Sequence, residues 1–199
     1  KLNQFYYNLI IILRMNIMIL GSGGREHALA WKISKSKLSD NLYIAPGNGG
    51  TSIEGINIPL NINNFKEVKD CVLKKSIDLV IVGPEEPLVN GIVDFFKEDN
   101  DLKKIKIFGP GKSGAKLEGS KDFSKEFMFR NNIPCGKSET FNKDTLENGF
   151  KFLENISSPY VLKADGLAAG KGVLILDDLE EAKKELSNMI LTEKFGEAS

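Results

Sequence analysis

Three short apolar runs and a fourth strand-like run, each closed by a glycine-containing turn, constrain the first half of this chain most strongly. Ile17–Leu20 runs into Gly21-Ser22-Gly23-Gly24, Leu42–Ala45 into Pro46-Gly47, Leu79–Val82 into Gly83-Pro84, and Ile105–Phe108 into Gly109-Pro110. Continuous apolar runs bounded by turns predict strands buried on both faces, as in parallel sheets covered by helices. The segments between them have helical character. A helix-like stretch runs from the first turn to about Lys35. Phe65, Val68, Val72 and Leu73 fall at i, i+3, i+7 and i+8 within residues 64–75, and Val89, Ile92, Val93 and Phe96 mark a further helix. This alternation predicts parallel βαβ units in a doubly wound α/β sheet, with any ligand beyond the carboxyl ends of the strands.

After GPGKSGAKLEGS (109–120) the texture changes, placing a domain boundary near residues 110–120. Ser120 can cap a helix carrying Phe123 and Phe127. Asp144-Thr145-Leu146-Glu147 has the form of a capping box before Leu146, Phe150 and Leu153. A strand over 159–163, the glycine-rich stretch KADGLAAGKG and a strand over 173–176 follow. Asp178 then caps a helix carrying Leu179, Ala182, Leu186 and Met189. No further strand closes this second unit, so it reads as incomplete.

Lys+Arg and Asp+Glu both number 27, which gives no support for a general binder of nucleic acid or anionic membrane. Cys71 and Cys135 form no CxxC or Cys/His pattern, so they read as free thiols in a reducing compartment rather than a disulfide or zinc site. The apolar N-terminus is interrupted by Asn8, Arg14 and Asn16, and Leu9–Leu13 falls well short of the ~20 residues of a spanning helix. No small-residue cleavage site follows it. Residues 1–14 read as an extension and Met15 as a natural start.

The turns are the candidate sites. In GSGGREH (21–27), glycines and a helix N-terminus suit an anion, and Arg25 can add a charge-assisted contact. A GxGxxG dinucleotide fingerprint would need glycine at position 26, where Glu26 stands, so a single-phosphate sugar ligand fits better than a nicotinamide dinucleotide. His27, the only histidine, reads as a helix-face residue. Asn48 and Thr51 in APGNGGT and Glu85 in VGPEEPLVNG can hydrogen-bond hydroxyls or an amine. Each turn alone is equally a turn without a ligand; three at one sheet edge favour a small-molecule site. GPGKSG (109–114) imitates a P-loop, but position 106 is lysine where that motif has its first glycine. In the second unit, Lys121 opens a helix and Lys163 ends a strand, its ammonium directed at a cleft beyond that strand. Gly166, Gly170 and Gly172 make a soft flap carrying Lys171. Cations and N–H groups closing over polyphosphate would serve phosphoryl transfer. A plain glycine-rich hairpin with solvated lysines remains the alternative.

GSGGREHALAWK, YIAPGNGGT, DLVIVGPEEPLVNGIVD, KIFGP, LEGSKDFSKEFM and YVLKADGLAAGKGV, in this order from Met15 onward, closely resemble the glycinamide ribonucleotide synthetases, or phosphoribosylamine–glycine ligases. These are ATP-grasp enzymes of purine biosynthesis. The resemblance implies a Rossmann-like pre-ATP-grasp domain over 15–115, followed over 116–199 by the linker helix and small lid subdomain of a truncated α+β ATP-grasp domain. It implies ligation of glycine to 5-phosphoribosylamine through glycyl phosphate, with ATP going to ADP and phosphate, in the cytoplasm. By the same resemblance Gly23, Gly24, Arg25, Asn48, Thr51 and Glu85 hold phosphoribosylamine. Lys121, Lys163, Asp165, Gly166, Gly170, Lys171 and Gly172 hold ATP. The ligands for Mg2+ or Mn2+ lie downstream in this family, so no metal ligand is assigned here and these 199 residues alone are expected to be inactive. The implied partners are small molecules, without nucleic acid or membrane, and fusion to other purine enzymes is left open. Two rivals stand beside this reading: a nicotinamide-dependent dehydrogenase, opposed by Glu26, and a sugar-phosphate sensor.

Overall fold

A computed structural model describes residues 14–167 and 172–192. Residues 1–13, most of the extension inferred above, lie outside them. The chain divides into two compact units between Ala115 and Lys116.

The first unit is a parallel five-stranded sheet in the order β3-β2-β1-β4-β5. Its strands are β1 (Met15–Gly21), β2 (Ser39–Pro46), β3 (Ile56–Asn57), β4 (Leu79–Val82) and β5 (Lys106–Phe108). The central strand β1 pairs Ile17–Gly21 with Leu42–Pro46 on one side and Ile17–Leu20 with Leu79–Val82 on the other. Alternate side chains of β1 feed two cores. Met18 and Leu20 join Val68, Val72, Val80, Ile92, Val93 and Phe96. Ile17 and Ile19 join Ala30, Leu42 and Ile44 on the opposite face. This double burial is why the run is apolar at every position.

Helices α1 (Gly24–Ser34), α2 (Thr51–Glu54), α3 (Phe65–Lys74), α4 (Glu85–Asn90) and α5 (Ile92–Glu98) connect the strands, and α6 (Lys112–Gly119) follows β5. The helix expected through Val89 and Phe96 is in fact two. Gly91 separates α4 from α5 at φ +96°, a left-handed conformation that only glycine adopts cheaply. The short elements α2 and β3 and the helix α6 lack an apolar period long enough to be read from sequence. The Lys-Ser of GPGKSG opens α6, whose Lys112 amide donates to Asp94 Oδ2 at 2.6 Å. A carboxylate from α5 therefore takes the place that a phosphate occupies in a true P-loop.

The second unit holds α7 (Lys121–Arg130), a single 3₁₀ turn (Lys143–Thr145), α8 (Leu146–Glu154), the hairpin strands β6 (Tyr160–Lys163) and β7 (Val173–Leu176), and α9 (Leu179–Leu191). Ser120 caps α7 by accepting the Phe123 amide, and Asp178 caps α9 by accepting that of Glu181. The capping box placed at Asp144 is corrected. Asn142 Oδ1 accepts the amides of Asp144 and Thr145, and Thr145 Oγ1 accepts that of Asn142. An Asx turn two residues earlier thus begins the helical segment before Asp144 can.

Strands β6 and β7 are antiparallel, pairing Tyr160 with Leu176, Leu162 with Leu174 and Lys163 with Val173. Tyr160 and Leu162 pack with Leu153, Ala182, Leu186 and Met189. Val161, Lys163, Val173 and Ile175 are exposed on the other face. Lys163, the last residue of β6, therefore lies on the exposed face of the hairpin, because strand alternation sends it opposite the buried Leu162.

Candidate functional site

In the first unit, strand order reverses between β1 and β4, with β2 and β3 on one side and β5 on the other. The carboxyl ends of strands flanking such a switch point form the usual ligand crevice of a doubly wound sheet. Here that edge of the sheet is built around Glu26, only 4% exposed. Its Oε2 accepts the Gly23 N–H at 2.6 Å. A Cβ added at Gly83 would lie 2.2 Å from Glu26 Oε1, and one at Gly21 2.5 Å from Glu26 Cγ. The glycines ending β1 and β4 thus make room for a carboxylate. That carboxylate stands where a dinucleotide pyrophosphate would need an uncharged, open turn, the physical reason the GxGxxG reading fails.

Arg25 and Glu85 span the same switch point. Arg25 Nη1 donates to the Gly83 carbonyl at 2.6 Å and Nη2 to Glu85 Oε1 at 2.9 Å. The Arg25 hydrogen bond, supplemented by a backbone N–H, holds the Glu85 carboxyl below its ordinary range. Both side chains remain open to solvent, at 59% and 38% exposure, so the pair is reachable by a ligand.

Asn48 and Thr51 join the second turn to the first. Asn48 Nδ2 donates to the Ser22 carbonyl at 2.7 Å, and its Oδ1 accepts the Gly50 and Thr51 amides. Thr51 is fully buried, its hydroxyl accepting the Asn48 amide and shared between Asn57 Oδ1 and the Asn48 carbonyl. Gly24 stands at the rim, where an added Cβ would meet nothing within 4 Å, and Gly23 faces only Glu26. His27 packs its ring against Gly50, where a Cβ would lie 2.4 Å from Cε1. The structure therefore gathers Gly23, Gly24, Arg25, Asn48, Thr51 and Glu85 at one sheet edge. It adds Glu26, Gly83 and His27 as the residues that shape that edge. The glycine at each turn signalled space, but its occupant was not readable from sequence.

In the second unit, Lys121, Asp165 and Gly166 come together. Asp165 Oδ1 accepts the amides of Lys121 at 2.5 Å and Asp122 at 3.1 Å, and its Oδ2 accepts Ser120 Oγ–H at 3.0 Å. Lys121 Nζ donates to the Gly166 carbonyl at 2.8 Å. Gly172 extends the hairpin by accepting the Ala164 amide at 2.8 Å. Gly170 and Lys171 lie outside the described residues. Among the described residues, no three His, Cys, Asp or Glu side chains gather as a metal site, and no helix is long and apolar enough to cross a membrane.

Family models described as the N domain and the ATP-grasp (A) domain of phosphoribosylglycinamide synthetase match residues 15–118 and 119–199, respectively. The chain belongs to the phosphoribosylglycinamide synthetase family. Among curated relatives, a phosphoribosylamine–glycine ligase of Clostridium acetobutylicum is 46% identical over 181 residues, covering 91% of this chain and 42% of the relative. One from Haemophilus influenzae is 45% identical over 186 residues, covering 92% and 42%. The chain thus spans about two-fifths of the length of these curated synthetases. The crystal structure of a phosphoribosylamine–glycine ligase from Thermotoga maritima matches with a TM-score of 0.68 at 35% identity, covering 92% of this chain and 41% of that one. The biotin carboxylase domain of a 2-oxoglutarate carboxylase from Hydrogenobacter thermophilus shares the fold at 18% identity, with a TM-score of 0.65, over 93% of this chain and 43% of that one. The synthetase fold is thus present here as an α/β unit with a parallel sheet followed by part of an ATP-grasp unit.

Proposed function

We propose that this chain is the N-terminal part of a phosphoribosylamine–glycine ligase, which joins glycine to 5-phosphoribosylamine at the expense of ATP. The carrying observation is that both synthetase domain models match in order and together span residues 15–199. In this proposal the rim of the first unit binds phosphoribosylamine. The Gly24 backbone, aided by the dipole of α1, receives the phosphate beside Gly23, whose own N–H is held by Glu26, and Arg25 supplies positive charge. Glu85 accepts from the sugar or its amine while orienting Arg25. Asn48 and Thr51, whose polar atoms are engaged within the two turns, hold the rim in shape.

The second unit binds ATP, with Lys121 and Lys163 on its phosphates and the segment Gly166, Gly170, Lys171 and Gly172 beside them. ATP phosphorylates the glycine carboxylate. The amine of phosphoribosylamine attacks the acyl carbon of glycyl phosphate, the C–O bond to phosphate breaks, and the amine proton is lost as the amide forms. The work of the protein is placement and charge stabilisation. Among the described residues, no three His, Cys, Asp or Glu side chains gather as a ligand set for Mg2+ or Mn2+. The substrates are small molecules met in the cytoplasm.

The two sites separate by mutation of the full-length enzyme. Arg25→Ala should raise KM for phosphoribosylamine and leave that for ATP near normal; Lys163→Ala should do the reverse. A selective loss of ATP affinity in Arg25→Ala would show that the sites are exchanged. Unchanged ATP kinetics in Lys163→Ala would remove its assigned role.

A further inference from the structure

We infer that Asp165 is a positioning residue that presents Lys121 to nucleotide phosphate, rather than a residue that itself touches ATP. This rests on the proposal that the second unit binds ATP. The first amides of α7 would otherwise form a ready anion site. They are already taken: Lys121 and Asp122 donate to Asp165 Oδ1, and Phe123 donates to Ser120 Oγ, which in turn donates to Asp165 Oδ2. A phosphate approaching this helix end would meet a carboxylate with both oxygens engaged. Contact with a metal-bound nucleotide through those oxygens would have to break the cap.

What Asp165 controls is location. It lies two residues beyond Lys163 at the end of β6, and it is bonded to the amide of Lys121 at the first position of α7. Lys121 Nζ reaches back to the carbonyl of Gly166, the next residue along. Segments more than forty positions apart in sequence are therefore tied by a charge-assisted cap and a lysine bond. The cap fixes the backbone from which the Lys121 ammonium extends. Asp122 does not share the task, since its own carboxylate accepts from Thr140 Oγ1.

The test compares Asp165→Asn with Asp165→Ala in the full-length protein, using titration calorimetry with MgATP and amide hydrogen exchange without nucleotide. Asparagine retains an Oδ1 able to accept both amides, and its Nδ2 can donate to Ser120 Oγ where that hydroxyl now donates to Asp165 Oδ2. Asp165→Asn should therefore keep the ATP Kd within about threefold and protect the Lys121 and Asp122 amides as the parent does. Asp165→Ala should weaken ATP roughly tenfold at unchanged stoichiometry and expose those amides. Equal losses in both variants would overturn the inference, because the charge would then act on the nucleotide or its metal. A reduced stoichiometry at unchanged Kd would also overturn it, since that marks a loss of folded protein only. Should Asp165→Ala fail to fold, Asp165→Asn decides alone: a near-parent Kd supports the inference, and a tenfold loss removes it. ATP titration does not depend on the acceptor substrate. A parent that binds ATP but does not join glycine to phosphoribosylamine would defeat the proposed function and leave this inference standing.

Discussion

Replacing Gly83 with alanine would place a methyl carbon 2.2 Å from Glu26 Oε1 and 2.6 Å from its Cγ and Cδ. Glu26 cannot swing into solvent cheaply: it is 4% exposed and held by the Gly23 N–H at 2.6 Å. Overpacking a filled site costs about 1–3 kcal/mol. Displacing the carboxylate from its donor adds about 1.5–3 kcal/mol, the worth of a hydrogen bond to a charged group. Partial relaxation makes these terms overlap, so a loss of about 2–4 kcal/mol is expected for Gly83→Ala, with Tm lower by roughly 10–20 °C for a domain of this size. Denaturant unfolding measures the first and calorimetry the second. The decisive comparison is a double-mutant cycle with Glu26→Ala, which removes the atoms the methyl group would strike. In that background Gly83→Ala should cost less than about 1 kcal/mol, giving a coupling above about 1 kcal/mol. A cost of Gly83→Ala within about 0.5 kcal/mol of zero, or one equal in both backgrounds, would refute the claim that these glycines exist to house Glu26.

Three other outcomes are expected. Glu85 has its carboxyl held down by Arg25, so its pair contributes stability above the ordinary value of 4.5, and that contribution is lost as pH falls through the lowered value in the folded protein. The stability difference between parent and Glu85→Gln should therefore shrink on acidification, and a pH-independent difference in urea titrations would contradict the pairing. Asn142→Ala should cost about 1 kcal/mol by loss of a cap, whereas Asp144→Ala should cost less than about 0.5 kcal/mol; equal costs in thermal melts would restore the capping box to Asp144. The 199-residue chain alone should release no ADP dependent on glycine and phosphoribosylamine together, because it spans 42% of the relatives' length; such release in a coupled assay would show that the remainder is dispensable.

The strands were readable because double burial leaves no polar position from Ile17 to Leu20 or in β4, and the period of α3 because one face packs on the sheet. The same logic failed at Gly91, where one apolar stripe runs across a left-handed break. It failed again at Asn142, because local side-chain competition for amides is decided by turn geometry. The candidate site was legible as turns but not as contacts. GSGGREH showed Glu26 standing where a dinucleotide fingerprint has glycine, yet its partner Gly83 lies at the end of another strand. Thr51 was read as a candidate because hydroxyls bind sugars; that its buried hydroxyl also bonds Asn57 was not legible, since Asn57 sits on a two-residue strand too short to recognise. Asp165 and the start of α7 are joined only in three dimensions.

In the proposed function these residues open a ligase that activates glycine for attack by phosphoribosylamine. The most direct measurement is ADP formation by the full-length protein with ATP, glycine and phosphoribosylamine, each omitted in turn, with the amide product followed in parallel. ADP and glycinamide ribonucleotide should form in equal amounts, and the amide should disappear when any one of the three is left out. ATP turnover without amide formation, or no turnover with all three present, would contradict the account.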